Sequence, residues 1–245
     1  MKGRQVSGLG RVVAFNWPRY AAGLLATGLG ALVPLPRPAR FPARAGALLA
    51  AGWIASSLAA TWWVYDRSGL YTWRWLTDLL PTEPRAYAVV STGLDEISPT
   101  LATRYPHATA TVLDLYHPAI MREGSIRRAR ALVPPPPGTR PAHLTDLPVP
   151  TGSLDAVFVV FAAHELREAG QRAALFGELA RILRPGGRLL LVEHCRDLPN
   201  VAAFGPGAWH FYPRREWHRV ATGAGLAPAG GATLTPLVRA MVYQR

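Results

Sequence analysis

The sequence predicts an α/β fold: a doubly wound, mostly parallel sheet preceded by an N-terminal hydrophobic helical hairpin. Three observations predict it. From residue 86 onward, short aliphatic runs alternate with segments of helical character, the pattern of parallel strands joined by crossover helices. Leu154–Phe161 and Arg188–Glu193 read as strands buried on both faces, being apolar almost throughout. Ahead of them lie two uncharged apolar stretches, Tyr20–Leu35 and Ala45–Val64. The expected organisation is therefore a hydrophobic, membrane-associated region with an amphipathic linker over residues 1–80, and an α/β domain over residues 86–245.

The first 18 residues are basic, with Lys2, Arg4 and Arg11, and carry an interfacial-looking Phe15-Asn16-Trp17. The segment 36-PRPARFPAR-44 is expected to break the helical region in two. The second apolar stretch has 20 residues, enough to span a bilayer core of about 30 Å; the first, at 16, is marginal. A signal peptide accounts for the first stretch alone. Two buried helices of a soluble protein, or a membrane hairpin, account for both. The hairpin also explains the basic flanks and the Trp and Tyr residues at the stretch ends. Spanning fully, it would place Arg37, Arg40 and Arg44 outside; a shallow hairpin would not. Val64–Leu80 reads as an amphipathic interfacial helix, bounded by Pro81 and Pro84.

Beyond it, Tyr87–Ser91 reads as a strand and Pro99–Tyr105 as a short helix with Ser98 as its N-cap. Thr109–Leu113 is the second strand, ending at Asp114. Ala119–Ala131 reads as helical, and 134-PPPPG-138 as a stiff spacer. After Leu154–Phe161 comes an amphipathic helix over Glu168–Leu183, stopped by 185-PGG-187. Arg188–Glu193, a helix at Trp217–Thr222 and terminal strands near Ala232–Thr235 and Leu237–Tyr243 complete the domain.

Composition limits the function classes. With 49% hydrophobic and 17% charged residues, the 245-residue chain is neither disordered nor short of a core. Its net charge is +12. Residues 1–86 hold ten basic and three acidic side chains, so the most apolar third is also the most basic, which suits anionic lipid headgroups. No basic run interleaved with aromatics tracks a phosphate backbone, so no nucleic-acid partner is expected. The single cysteine, Cys195, excludes an internal disulfide and Cys-based metal spacing, and its expected role is that of a buried structural residue.

Ligands of such sheets bind at the carboxyl ends of the strands. The first loop there, 91-STGLDEISP-99, holds Gly93, Asp95 and Glu96. Both carboxylates sit near a helix start, where they either receive a cationic ligand group or cap the helix; they disfavour a pyrophosphate. Asp114 closes the second strand 21 residues after Gly93, the placing of a ribose-binding acid, with helix capping as the alternative. His164, Glu165 and Arg167 follow the fourth strand; His194, Arg196, Asp197 and Asn200 follow the fifth, and His210 lies in 204-FGPGAWHF-211. An ionisable cluster here suits a substrate site, with His as general base, or a network that orders the loops. His164, Glu165, His194 and His210 match no standard metal-ligand spacing, and no metal is expected.

Over residues 86–243 the chain resembles the class I S-adenosylmethionine (SAM) dependent methyltransferases. The segments carrying the likeness are 183-LRPGGRLLLVEH-194 and 147-LPVPTGSLDAVFVVFAAHEL-166; GLDEIS, SIRRAR, AAHELR and EHCRDLPN are similar to those of a bacterial subgroup with a hydrophobic N-terminus. The resemblance implies a Rossmann-like sheet and SAM as cofactor, held by Gly93, Asp95, Glu96, Asp114 and Asp146, with Asp146 near adenine. His164, Glu165, His194 and Arg196 are then the expected acceptor-side catalytic residues. The first loop departs from the family by keeping only one glycine. The function expected is methylation of a lipophilic small molecule of the quinone, isoprenoid or lipid class. Membrane lipids would hold the N-terminal region, at a bacterial inner membrane with the catalytic domain facing the cytoplasm. A degenerate scaffold, or transfer of a group other than methyl, are the alternatives. The sequence leaves the oligomeric state open.

Overall fold

The computed structural model describes residues 7–245; Lys2 and Arg4, expected at the basic front of the anchor, lie outside the described residues. The elements in chain order are α1 (Gly8–Leu32), α2 (Arg37–Trp62), α3 (Leu76–Leu79), β1 (Ala86–Ser91), α4 (Ser98–Arg104), β2 (Thr109–Asp114), α5 (Gly124–Leu132), β3 (Arg140–Pro141), β4 (Leu154–Val160), α6 (Ala169–Ile182), β5 (Leu183–His194), α7 (Leu198–Phe204), α8 (Arg214–Gly223), β6 (Ala227–Thr235) and β7 (Val238–Gln244). They form two compact units. One holds residues 7–71 with Asp197–Trp209; the other holds Thr72–Arg196 with His210–Arg245.

In the first unit α1 and α2 pack as an antiparallel pair. Small residues let the two backbones approach: a Cβ on Gly30 would meet the Ala43 carbonyl oxygen at 3.0 Å, and one on Gly23 would meet Ile54 Cδ1 at 3.0 Å. The Tyr20 hydroxyl lies 3.4 Å from Ser57 Oγ. The free N–H groups at the start of α1 are covered twice. Gly10 donates to Ser7 Oγ, and Gly8 and Leu9 donate to the Asp66 carboxylate at 2.7 and 2.8 Å, an anion where the helix dipole favours one. The proline-rich segment breaks the helices only at residues 33–36. From Arg37 it is already the start of α2, because Pro38 falls in the first turn, where its missing N–H has no bond to lose. The pair buries little: Leu32 is 82% exposed, Phe41 81% and Leu48 74%. Among the described residues one helical run, Arg37–Thr72, is long and apolar enough to cross a bilayer. The single amphipathic helix expected over Val64–Leu80 is replaced by a π-turn at Trp63–Arg67, a 3-10 turn at Leu70–Thr72 and the one-turn α3. The left-handed backbone of Gly69 (φ 74°) and Trp73 (φ 55°) prevents a continuous helix.

The second unit is a seven-stranded sheet in the order β3-β2-β1-β4-β5-β7-β6. β1 lies parallel to β2 (Ser91 beside Asp114) and to β4 (Ala88 beside Val157), and β4 is parallel to β5 (Val157 beside Leu189). β7 runs antiparallel to β5 because β6 and β7 form a hairpin with only Pro236 and Leu237 between them. The doubly wound, mostly parallel fold expected from the sequence is therefore the observed one. Its centre is dry: Val157, Phe158, Val159, Leu189, Leu190 and Leu191 are fully buried, each contributing about 1.5–3 kcal/mol from burial. Trp217 of α8 stacks on Phe176 of α6 beneath it, ring centroids 6.3 Å apart.

Local departures have physical reasons. The helix expected from Ala119 begins at Gly124, because the chain first makes a turn in which Ile120 and Met121 both donate to the His117 carbonyl. The 185-PGG-187 segment ends α6 but is itself part of β5. A Cβ on Gly187 would lie 2.9 Å from the Leu154 carbonyl oxygen, and the pairing slips a register between Leu154 and Ala156. α4 starts at Ser98, and its cap is made by Asp95 rather than by Ser98.

Candidate functional site

The strand order reverses between β1 and β4, and sheets of this kind take ligands at the carboxyl ends of the strands beside such a reversal. Thr92 at the end of β1 donates from Oγ1 to the Ala162 carbonyl after β4, at 3.0 Å, tying the two loops together. Phe161, also at this rim, has φ 49°, a conformation non-glycine residues rarely adopt and one that often marks a functional loop.

Gly93 follows β1 with φ 110°. A Cβ there would meet Tyr116 Cδ2 at 3.0 Å and Ile126 Cγ1 at 3.3 Å, so the position demands glycine twice over. Asp95 Oδ1 accepts the Ile97 and Ser98 N–H groups, both at 2.9 Å, and so caps α4. Its Oδ2 is buried and has no hydrogen-bond partner. The helix-capping role expected for this residue is thus made by Oδ1 alone. Glu96 is half-buried beside it.

Asp114 closes β2 and is 5% exposed. Its Oδ1 accepts the Tyr116 N–H at 3.0 Å, and its Oδ2 pairs with Arg130, whose guanidinium lies 4.7 Å over the Tyr116 ring. A cavity of about 290 Å³ opens next to Asp114, walled by residues including Tyr116, Ile120, Ala142 and Leu144. That is near the lower end for small-ligand pockets. Asp146 is exposed, holds the turn in which its N–H bonds the His143 carbonyl, and does not line the cavity.

A second cluster lies after β4. His164 and Glu165 stand on the 3-10 turn Ala163–Glu165, and His210 joins them. His164 donates its Nδ1–H to Glu193 Oε2 at 2.7 Å and its backbone N–H to Glu193 Oε1 at 3.3 Å. His210 donates its Nδ1–H to Glu123 Oε1 at 3.1 Å. Both Nε2 atoms then face Glu165 Oε1, at 3.5 Å from His164 and 3.8 Å from His210. The rings meet edge to face, 4.9 Å apart. Arg167 clips the two loops together by donating to the His164 and His210 carbonyls at 3.1 and 2.7 Å. Burial opposes the His164 imidazolium, but Glu193 and Glu165 outweigh it and push the ring's pKa up to about 10. Burial likewise disfavours the Glu165 carboxylate, and the two histidines reverse that and hold its pKa well below the usual range.

The remaining expected residues lie elsewhere. His194 closes β5 and donates Nδ1–H to the Leu237 carbonyl at 2.8 Å. It is sandwiched between Phe161 and Phe211, centroids 5.4 and 4.8 Å away. Arg196 is half-buried, and its backbone N–H bonds the Tyr212 carbonyl. Asp197 caps α7, accepting from the backbone and side-chain nitrogens of Asn200, and both belong to the first unit. Cys195 is buried. Sequence reasoning missed Glu123 and Glu193. Glu193 was read only as the end of a strand; its buried place beside the histidine-bearing loop is set by the pairing of β4 with β5. Glu123 was placed inside a helix that begins one residue later.

Residues 90–191 match the family model of a methyltransferase domain. The chain is 29% identical over 148 residues to the ubiquinone/menaquinone biosynthesis C-methyltransferase UbiE of Syntrophotalea carbinolica, over 58% of this chain and 55% of that protein. It thus spans about half the length of this curated relative. Among solved structures, a SAM-dependent methyltransferase of Aquifex aeolicus superposes with a TM-score of 0.51 at 17% identity, covering 73% of this chain and 98% of that one. Human N-acetylserotonin methyltransferase, solved in complex with SAM, gives 0.52 at 15% identity, covering 97% of this chain and 68% of that one. Likeness at these identities speaks for the fold.

Proposed function

We infer that this chain, whose second unit carries a class I SAM-dependent methyltransferase domain, transfers a methyl group from SAM to a lipophilic small molecule at a membrane surface. The observation that carries the cofactor assignment is the pair of acids at the ends of adjacent strands. The buried, unpartnered Asp95 Oδ2 suits an ammonium group. Asp114 stands at the rim of a cavity of about 290 Å³, where ribose hydroxyls would donate to it. Gly93, at φ 110°, gives the loop between them the turn that places Asp95. When bound, SAM supplies an already activated methyl group. The protein's task is then to align the acceptor, exclude water and hold charge. Glu165 and the residues around it form the polar wall available to an acceptor. Arg196 and His194 sit at the end of the next strand, and His194 is fixed between aromatic rings.

The lipophilic acceptor and the membrane are supported by the apolar side chains that α1 and α2 leave exposed, among them Leu24, Leu25, Leu29 and Leu49. Exposed apolar side chains gathered on one helical pair suit contact with a membrane. The relative named for quinone methylation points to the same acceptor class. The expected site is a bacterial inner membrane with the methyltransferase domain in the cytoplasm, where SAM is made.

A second reading is a scaffold that keeps the fold without catalysis. It is favoured by Arg130, which pairs with Asp114, and by Tyr116, which packs over Gly93. The test is methyl transfer from labelled SAM, by the full chain reconstituted in anionic vesicles, to a panel of quinones, isoprenoids and lipids. Labelled product extracted with the lipophilic phase is expected. Folded, vesicle-bound protein that binds S-adenosylhomocysteine but labels none of them would remove the acceptor class; failure to bind it at all would favour the scaffold.

A further inference from the structure

We propose that Nε2 of His164, Nε2 of His210 and the carboxylate of Glu165 form a binding site for a divalent transition-metal cation of the zinc type. From linear spacing no metal was expected, because His164 and Glu165 are adjacent and His210 lies far along the chain. The fold brings these three together and leaves His194, the fourth residue weighed, between two aromatic rings.

Four observations converge. First, the donor atoms of the three residues lie within 4.8 Å of one another. At 3.5 and 3.8 Å the Nε2-to-Oε1 separations are long for hydrogen bonds. They are close to the spacing of about 3.3–3.6 Å that tetrahedral ligands at 2.0–2.2 Å from a metal would have. Second, each imidazole is oriented by a carboxylate on its other nitrogen, His164 by Glu193 and His210 by Glu123. That arrangement fixes the tautomer which points Nε2 inward and raises its strength as a donor. Third, Glu165 is 6% exposed, and its Oε2 is buried without a hydrogen-bond partner, a cost that a cation would remove. Fourth, Arg167 braces the two loops through the backbone carbonyls of both histidines, so the donors are held in place before any ligand arrives. Two imidazoles and one carboxylate suit zinc and similar cations rather than magnesium or calcium. Three protein donors leave a coordination position open for water or for an oxygen or sulfur ligand. All five residues of the site belong to the second unit.

The site shares Glu165 with the polar wall of the proposed function, and its test reads the metal alone. Tag-free full-length protein, stripped with a chelator, is titrated with Co²⁺ followed by visible absorption and with Zn²⁺ followed by calorimetry. One equivalent is expected to bind with micromolar or tighter affinity, Co²⁺ giving the d–d bands of a low-coordinate site. His210→Ala and Glu165→Gln should each weaken binding at least 100-fold. Glu123→Gln, which removes only an orienting partner, should weaken it about 10- to 100-fold. His143→Ala, at an exposed histidine in another loop, should change nothing. Circular dichroism checks the fold of each variant; if Glu165→Gln does not fold, the more exposed His210→Ala carries the comparison. Folded wild-type protein that binds neither ion saturably, or binding indifferent to both His210→Ala and Glu165→Gln, overturns the proposal.

Discussion

Replacing Asp114 by alanine probes the proposed cofactor site most directly. In the free protein the change removes an acceptor from the Tyr116 N–H, 3.0 Å away, and a partner from Arg130. Leaving this part-buried N–H unpaired costs at most about 1–3 kcal/mol of stability. The Arg130 pair, one-third exposed on the arginine side, adds at most about 1 kcal/mol. In the proposed complex the substitution would also remove hydrogen bonds from ribose to an ionised carboxylate, which contribute about 1.5–3 kcal/mol. At 1.4 kcal/mol per tenfold, S-adenosylhomocysteine should bind about 10- to 150-fold more weakly. Calorimetric titration of the detergent-purified full chain measures this, with thermal melts run alongside to separate lost affinity from lost fold. Arg130→Ala is the control: it removes a competitor for Asp114 Oδ2 and should move Kd by less than about fivefold. Asp114→Ala binding within threefold of wild type, in protein that melts normally, would refute the ribose assignment. Asp114 would then be a residue that only orders the Tyr116–Arg130 loop.

Three further outcomes are expected. The Glu216 pKa is held down at about 2 by hydrogen bonds from Arg219 and, against the opposing effect of burial, from Arg172. Because the folded value lies below the ordinary one of 4.5, its contribution to stability is present above pH 4.5 and is lost as pH falls toward 2. Glu216→Gln should flatten that part of the Tm-against-pH curve, and an unchanged acid limb would count against the ion pair. Gly93→Ala forces a side chain into φ 110° and against Tyr116; a cost of about 1–3 kcal/mol should lower Tm by roughly 2–4 °C per kcal/mol and weaken S-adenosylhomocysteine binding. Trp217→Ala empties a fully buried site against Phe176 and should cost about 3–5 kcal/mol in denaturant unfolding; a loss below 1 kcal/mol would mean that α8 is not part of the cooperative core.

The fold was legible where side-chain pattern reports burial directly. The apolar runs at Val157–Val160 and Leu189–Val192 could only be strands covered on both faces, and the amphipathic stretch over Ala169–Ile182 only a helix beside them. Legibility failed where backbone geometry overrides propensity. The apolar and aromatic Val64–Leu80 segment has a helical pattern, yet left-handed residues at Gly69 and Trp73 divide it into single turns. The two-residue β3 has too little sequence to carry a pattern.

The candidate sites divide along the same line. The positions of Asp95 and Asp114 were legible because the first lies in the loop after β1 and the second ends β2, so local order alone places them at the carboxyl edge of the sheet. The sequence by itself thus determined the α/β class, the apolar pair of helices and the place of two acids at the carboxyl edge of the sheet. Only the tertiary structure decided which carboxylates orient His164 and His210. Glu123 and His210 are 87 residues apart and Glu193 and His164 are 29 apart. No periodicity links such positions. They meet because parallel pairing of β4 with β5 sets Glu193 beside His164, and because Arg167 draws the His210 loop onto the same strand end. A one-dimensional pattern records how each segment is buried, whereas a site built from several loops depends on the registers between strands.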